Sequence, residues 1–120
     1  MKVLDLFSGA GGFSKGFEMA GFQILAGIES VEVYTKTHER NFPNSKSLCE
    51  DLSTFKPQEL AATLKIEKSD VDVIIGGPPC QTFSTIGASK IASVSGKSLK
   101  TDARNYYFQH YLDFVDFYQP

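Results

Sequence analysis

Residues 71–84, VDVIIGGPPCQTFS, constrain the fold of this chain more than any other stretch. They begin with an apolar run, interrupted only by Asp72, and continue through Gly76-Gly77-Pro78-Pro79 to Cys80. A short apolar run bounded by glycine and proline predicts a strand buried on both faces, as in parallel sheets. Because two prolines fix the backbone, we expect Cys80 at the strand's carboxyl end, where catalytic residues of open α/β sheets lie. A buried structural cysteine does not need a preceding Gly-Gly-Pro-Pro segment, so the pattern favours a nucleophile.

Composition and charge narrow the class of protein. The chain has 120 residues, a formal net charge of -2 and a pI of about 5.6, which is not typical of a free-standing nucleic-acid-binding domain. Cys49 and Cys80 are the only cysteines and form no CxxC pair, so we expect neither a bound metal nor a disulfide framework. Apolar runs are too short to span a membrane and no signal-peptide pattern is present, so we expect a soluble, cytoplasmic protein.

The chain alternates between strand and helix patterns. The predicted strands cover residues 2–7, 23–28, 46–49 and 71–75, and the predicted helices cover residues 13–20, 31–41, 57–66 and 103–118. We expect Phe13 and Phe17 to face inward from the first helix, which Gly21 ends, and Val33 and Tyr34 to face inward from the second. The last helix is apolar on nearly all sides and needs cover on more than one face.

These elements predict an α/β fold with a doubly wound parallel sheet of strand order 3-2-1-4. In that order the strand at residues 71–75 lies at one edge, although its sequence is typical of a central strand. Because an exposed apolar edge invites further pairing, the sheet is expected to be incomplete in this chain.

A glycine-rich loop, Phe7-Ser8-Gly9-Ala10-Gly11-Gly12, follows the first strand. Its spacing is Phe-x-Gly-x-Gly rather than the GxGxxG of dinucleotide-binding loops, because Ser14 stands three residues after Gly11. This tighter loop suits a ligand without a pyrophosphate. Glu29 ends the second strand about 20 residues after the loop, a position that predicts binding of ribose hydroxyls. Asp51 follows the third strand and either reaches a purine amino group or caps a helix.

Residues 85–101, TIGASKIASVSGKSLKT, differ in composition from the rest of the chain. They contain four serines and three lysines but no acidic residue, which predicts a mobile loop. The alternatives for this segment are a surface linker and a lid that closes over a polyanion. Because the segment is basic and directly follows a candidate nucleophile, the lid is favoured.

Taken together, DLFSGAGGFSKGFEMAGF, Glu29, DVIIGGPPCQTFS and DARNYYF resemble the first five sequence blocks of the cytosine-C5 DNA methyltransferases, over essentially the whole chain. The resemblance implies the Rossmann-like sheet of methyltransferases that use S-adenosyl-L-methionine, with S-adenosyl-L-homocysteine as product. Two positions depart from the family pattern: Ser30 stands where an aromatic residue is common, and Tyr107 where leucine is usual. The donor-binding residues that the resemblance implies are Phe7, Ser8, Gly9, Ala10, Gly11, Gly12, Glu29, Ser30, Asp51, Leu52, Pro79 and Tyr107.

The resemblance also implies a mechanism on double-stranded DNA. Cys80 is the catalytic nucleophile, which attacks C6 of a cytosine flipped out of the duplex so that C5 accepts the methyl group. Gln81 and Ser84 are expected to contact DNA near the flipped base. Phosphate and other DNA contacts are expected from Lys90, Lys97, Lys100 and Arg104.

Later family blocks have no counterpart here, including the Glu-Asn-Val block whose acid engages the target base. We therefore expect residues 1–120 to be the amino-terminal part of one catalytic domain, without the target-recognition region. The remainder of the domain or a complementing subunit would complete it, and alone it would be inactive. Two alternatives stay open: a tRNA cytosine-C5 methyltransferase, and a catalytically silent fragment that acts as a binding or assembly partner. The loop spacing disfavours a dinucleotide oxidoreductase.

Overall fold

Strands and helices alternate along the chain as the sequence predicts. The computed structural model describes residues 1–79 and 106–120. The strands are β1 (Lys2–Leu6), β2 (Gln23–Glu29), β3 (Lys46–Cys49) and β4 (Val73–Gly76). The helices are α1 (Gly12–Met19), α2 (Glu32–Asn41), α3 (Pro57–Leu64) and α4 (Tyr106–Tyr118), and a single 3-10 turn covers Lys68–Asp70.

The four strands form one parallel sheet in the order β3-β2-β1-β4. In the register, Leu4 of β1 lies opposite Ala26 of β2 and Ile74 of β4. The predicted α/β class and strand order are therefore confirmed. Because all four strands run in the same direction, their carboxyl ends meet at one edge of the sheet.

An apolar core fills the space between one face of the sheet and the helices α3 and α4. Leu4 and Leu6 of β1 are fully buried there, together with Leu60 of α3 and Phe114 of α4. Tyr118 is also buried, and its hydroxyl donates a hydrogen bond of 3.2 Å to the Pro57 carbonyl at the start of α3. Full burial of one such apolar side chain contributes about 1.5–3 kcal/mol.

The opposite face of the sheet is covered by α1 and α2, and here three of the four predicted inward residues are wrong. Phe13 is 57% exposed, Val33 63% and Tyr34 50%, while Ser14 and His38 are fully buried in their place. Polar side chains turn inward because β1 presents the carboxylate of Asp5 on this face, where Ser14 of α1 bonds to it and His38 of α2 bonds to Ser14. Phe17 is partly buried and packs its ring against Phe22, with centroids 5.2 Å apart, and Gly21 ends α1 with a positive φ of 87°.

At the edge of the described sheet, β4 is only partly buried along its whole length. The Tyr111 hydroxyl of α4 donates a hydrogen bond of 3.1 Å to the Ile74 carbonyl and ties the helix to this strand. Farther around α4, Phe108 and Leu112 are exposed, so the helix is covered on one side by the described residues. None of the described helices has the length and apolar character needed to cross a membrane.

Candidate functional site

A cavity of about 230 Å³ lies where the carboxyl ends of the strands meet. Seven of the residues predicted to bind a donor line it, namely Phe7, Glu29, Ser30, Asp51, Leu52, Pro79 and Tyr107. Sequence reasoning missed four others, Ile28, Val31, Glu50 and Gly77. Each of these four lies within two positions of a predicted residue. Their position next to a strand end is therefore the sequence feature that could have identified them.

The wall nearest β1 is formed by Phe7, whose backbone has a left-handed φ of 57°. This turn brings the next residue over β2, where the Ser8 amide donates a hydrogen bond of 3.0 Å to the Ile28 carbonyl. The Phe7 ring packs edge-to-face against Tyr107 with centroids 5.8 Å apart. A left-handed non-glycine residue at a cavity wall is typical of a functional site, where surrounding contacts hold the strain.

The remaining loop residues, Ser8 and residues 9–12, are not among the residues that line the cavity. Gly11 has a φ of 99° and directly precedes α1, and a side chain there would overlap Phe42 and His38 of the neighbouring helix segment. Glycine is therefore required at this position for packing against α2. The hydroxyl of Ser8 is buried and has no hydrogen-bond partner within the described residues, and the carbonyl of Ala10 accepts a bond of 3.4 Å from the Asn41 amide.

Glu29 joins the glycine loop to the start of α2. Its Oε2 accepts a hydrogen bond of 3.0 Å from the Gly9 amide, and its Oε1 accepts one of 2.9 Å from the Val31 amide. Oε1 also accepts a long bond of 3.5 Å from the Ser30 hydroxyl. Because a carboxylate has about four lone-pair sites, Oε2 can still accept a further bond from a ligand hydroxyl. The predicted ribose-binding residue thus lies in the cavity wall with acceptor capacity to spare.

Asp51 stands at the end of β3 and organises the turn that follows. Its Oδ1 accepts a hydrogen bond of 2.8 Å from the Ser53 amide, and bonds from Ser53 hold the pKa of this carboxyl below its ordinary value. Asp51 does not cap a helix, because α3 begins at Pro57 with Lys56 as its N-cap. Its neighbour Leu52 is buried in the core and also contributes to the cavity wall.

The charges around the cavity are all negative in the part of the chain that the structure describes. Glu29, Glu50 and Asp51 contribute three carboxylates, and the lining residues include no lysine or arginine. A cavity with one sign of charge attracts ligands of the opposite sign and repels phosphate. The arrangement suits a ligand that offers hydroxyl or amino donors or carries positive charge, and it disfavours a dinucleotide.

The residues predicted to act on the substrate lie outside the described residues. They are Cys80, Gln81, Ser84, Lys90, Lys97, Lys100 and Arg104, and the interpretation of residues 85–101 as a lid falls there as well. The nearest described position is Pro79, which directly precedes Cys80 in the chain and lines the cavity. Over residues 1–79 and 106–120, no group of three or more side chains is placed to hold a metal ion.

A parallel sheet whose first strand leads into a glycine loop and whose second strand ends in a carboxylate is typical of the nucleotide-binding type of α/β fold. The family described as C-5 cytosine-specific DNA methylase matches residues 1–120, so the chain belongs to that family. The resemblance noted in the sequence is confirmed.

Individual relatives agree with this assignment. The chain is 42% identical over 120 residues to the type II methyltransferase M.DdeI of Desulfomicrobium norvegicum, and 44% identical over 120 residues to M1.HphI of Haemophilus parahaemolyticus. Both alignments cover 100% of this chain but 26% and 30% of the relatives, so the chain spans less than a third of their length. A crystal structure of a candidate DNA modification methyltransferase encoded within an E. coli prophage superposes with a TM-score of 0.79 and 35% identity, covering 100% of this chain and 30% of that one.

Proposed function

We propose that the protein containing this chain transfers a methyl group from S-adenosyl-L-methionine to C5 of cytosine in double-stranded DNA. The observation that carries this proposal is the acidic cavity at the strand ends of a family member, whose wall includes Pro79, the residue before Cys80. The cytoplasmic location expected from the sequence is part of this proposal.

The residues around the cavity fit this donor chemically. S-adenosyl-L-methionine has a positively charged sulfonium and a ribose diol, and three carboxylates line the cavity. In the proposal, Glu29 accepts hydrogen bonds from the ribose hydroxyls and Asp51 accepts one from the adenine amino group. Phe7, Leu52 and Pro79 provide the apolar walls. When bound, the donor supplies an electrophilic methyl group, and S-adenosyl-L-homocysteine leaves as product.

Cys80 is proposed to activate the cytosine. The base is flipped out of the duplex because its reactive carbons are inaccessible while stacked. The Cys80 thiolate forms a bond to C6, and the electron density gained at C5 forms the new bond to the methyl carbon. Loss of the C5 proton to a base then restores the ring double bond and releases the thiolate. Covalent addition divides one difficult substitution into easier steps.

The other predicted site residues form the proposed DNA interface. Gln81 and Ser84 would contact the strands near the flipped base, and Lys90, Lys97, Lys100 and Arg104 would contact phosphates. Phosphate contacts make binding depend steeply on salt, so this part of the proposal predicts weaker DNA binding as ionic strength rises.

Residues 1–120 are proposed to be one part of the catalytic domain, completed by further sequence or by a second subunit. Two observations support this: the chain matches less than a third of its relatives' length, and β4 is only partly buried by the described residues although its sequence is typical of a central strand. On this proposal the 120 residues alone methylate nothing.

A methyl-transfer assay tests the proposal directly. Protein expressed from the complete reading frame is incubated with tritiated donor and with either DNA or tRNA. We expect the unsubstituted protein to label DNA and Cys80→Ser to transfer no label. In equilibrium dialysis, both proteins should bind the donor, and NAD should not displace it. Label in tRNA alone contradicts the substrate, and a covalent adduct between Cys80→Ser and a suicide cytosine analogue contradicts the role of Cys80.

The donor site has a matched pair of substitutions. Glu29→Gln removes a charge from the cavity wall, whereas Glu39→Gln removes one from the exposed surface of α2. Because a hydrogen bond to a charged acceptor contributes about 1.5–3 kcal/mol, Glu29→Gln should weaken donor binding by about 10–100-fold. Equal affinities of the two variants in calorimetry would exclude Glu29 from the donor site.

A further inference from the structure

A continuous chain of hydrogen bonds runs beneath the glycine loop and joins four secondary-structure elements. Asp5 of β1 accepts bonds of 3.1 Å and 2.6 Å from the amide and hydroxyl of Ser14, the third residue of α1. The Ser14 oxygen lies 3.1 Å from His38 Nε2 on α2, and His38 Nδ1 lies 2.7 Å from the Ser47 hydroxyl on β3. Asp5, Ser14 and His38 are all essentially inaccessible to solvent.

The direction of each bond follows from the number of protons available. Ser14 has one hydroxyl proton, which it donates to Asp5, so its oxygen accepts from His38 Nε2–H. In the neutral ring Nδ1 is then an acceptor and takes the proton of the Ser47 hydroxyl. Burial lowers the pKa of His38, which favours this neutral form. Because the Ser14 proton points away from the histidine, the three residue types do not form a hydrolytic triad.

The His38 ring is also confined by its packing. A side chain at Gly27 of β2 or at Gly11 of the loop would overlap the ring, and Phe42 lies beside it with a centroid separation of 4.5 Å. The ring therefore fills a slot whose walls are the sheet, the loop and its own helix. An imidazole in such a slot has one available orientation, which fixes both of its nitrogens.

The same helix also holds the carboxylate end of the site. The Thr35 hydroxyl, one turn before His38 on α2, donates a hydrogen bond of 3.0 Å to the Glu29 carbonyl. Glu29 in turn accepts from the Gly9 amide of the loop. Helix α2 is thus connected to α1 through His38 and Ser14, and to the end of β2 through Thr35. The Gly9–Glu29 bond joins the glycine loop to the same strand end.

We infer that His38 is a positioning residue, whose bonds to Ser14 and Ser47 fix the glycine loop relative to Glu29 for donor binding. The link to the donor depends on the proposed function, whereas the effect on the loop does not. Removing the imidazole leaves the Ser14 and Ser47 hydroxyls with no direct partner on α2. The positions of the loop and α1 relative to the sheet are then less restrained.

Hydrogen exchange in the protein from its complete reading frame separates this role from ordinary stability. His38→Phe keeps a planar ring but removes both hydrogen bonds, and Tyr118→Phe removes one buried hydrogen bond on the opposite face of the sheet. We expect His38→Phe to speed amide exchange at Gly9, Gly11 and Ser14 by about tenfold beyond the change elsewhere, and to weaken donor binding by about tenfold. Tyr118→Phe should change exchange uniformly and leave donor affinity unaltered.

Two further measurements keep the inference testable if His38→Phe folds poorly. His38→Gln retains a side-chain N–H donor that can reach Ser14, and we expect it to recover most of the loop protection. Nitrogen-15 spectra of the unsubstituted protein should show His38 as the neutral Nε2–H tautomer. A protonated Nδ1, or equal exchange changes at the loop and elsewhere, overturns the inference; failure of the unsubstituted protein to bind donor instead overturns the proposed function.

Discussion

The two faces of the sheet are built from different chemistry. The face toward α3 and α4 is covered by apolar side chains such as Leu4, Leu6 and Phe114, whereas the face toward α1 and α2 carries the bonded side chains of Asp5 and His38. Apolar contacts stabilise in proportion to buried area and tolerate small displacements. Hydrogen bonds between buried groups depend on direction, so the polar face is the one suited to position the glycine loop.

The largest expected effect is on the apolar face. Phe114→Ala removes a fully buried ring and should lower the free energy of unfolding by about 3–5 kcal/mol. Val33→Ala, at a largely exposed position of α2, should change it by less than about 0.5 kcal/mol. Urea denaturation followed by circular dichroism provides both values, and a loss below about 1 kcal/mol for Phe114→Ala would mean that α4 contributes little to the core.

A smaller loss is expected on the polar face. Gly27→Ala places a methyl group against the His38 ring and should lower the free energy of unfolding by about 1–3 kcal/mol. It should also weaken donor binding. Gly16→Ala is the matched control, because its methyl group meets no atom and its helical position gains about 0.5–1 kcal/mol. If both variants are equally stable, the slot around His38 is looser than the packing indicates.

The pH dependence of stability should also differ between the faces. Burial lowers the pKa of His38, so below about pH 6.5 the unfolded chain takes up a proton that the folded chain does not. The free energy of unfolding should therefore decrease as the pH is lowered, by up to about 1.4 kcal/mol per pH unit. His38→Phe should reduce that slope. Burial raises the pKa of Asp5, so the folded chain takes up this proton before the unfolded chain does. The effect of Asp5 on stability is therefore opposite to that of His38, and it occurs at lower pH.

The apolar face provides the control for this titration. Burial raises the pKa of Tyr118 to about 12, so this side chain does not titrate near neutral pH. Tyr118→Phe should lower stability by about 0.5–1.5 kcal/mol at every pH without changing the slope. Urea unfolding at several pH values distinguishes the two variants, and an unchanged slope in His38→Phe would contradict the assignment of the transition to His38.

The smallest effect is a gain at the end of α3. Lys65 caps this helix in the left-handed conformation with a φ of 55°, which glycine adopts without steric cost. Lys65→Gly should raise stability by about 1 kcal/mol, measured as an increase in Tm, and leave donor affinity unchanged. A loss of stability instead would show that the lysine side chain makes a contact that outweighs the backbone strain.

Much of the fold follows from the sequence because its strands are short apolar runs that end at glycine, proline or acidic residues. That pattern predicted the strand order and the edge position of β4. The inward faces of α1 and α2 could not be predicted in this way, since helical periodicity assumes that apolar residues turn inward. Here a carboxylate on β1 draws Ser14 inward and leaves Phe13 exposed.

The candidate site shows the same division. Positions at strand ends, such as Glu29 and Asp51, were predictable because topology alone brings them to one edge of the sheet. Gly11 was predicted only as a donor-binding residue, whereas contacts with His38 and Phe42 give a separate reason for glycine there. Such contacts join positions far apart in the sequence, and no local pattern reports them.

Glu29 carries a consequence for ligand affinity. A free glutamate loses about 1.5–2 kcal/mol of side-chain entropy when it is fixed, but here two backbone amides already fix both oxygens. Folding bears that entropic cost, so an incoming diol meets an acceptor that is oriented in advance. Mild denaturant or heating that frees the Gly9 amide should therefore weaken ligand capture well before the sheet itself unfolds.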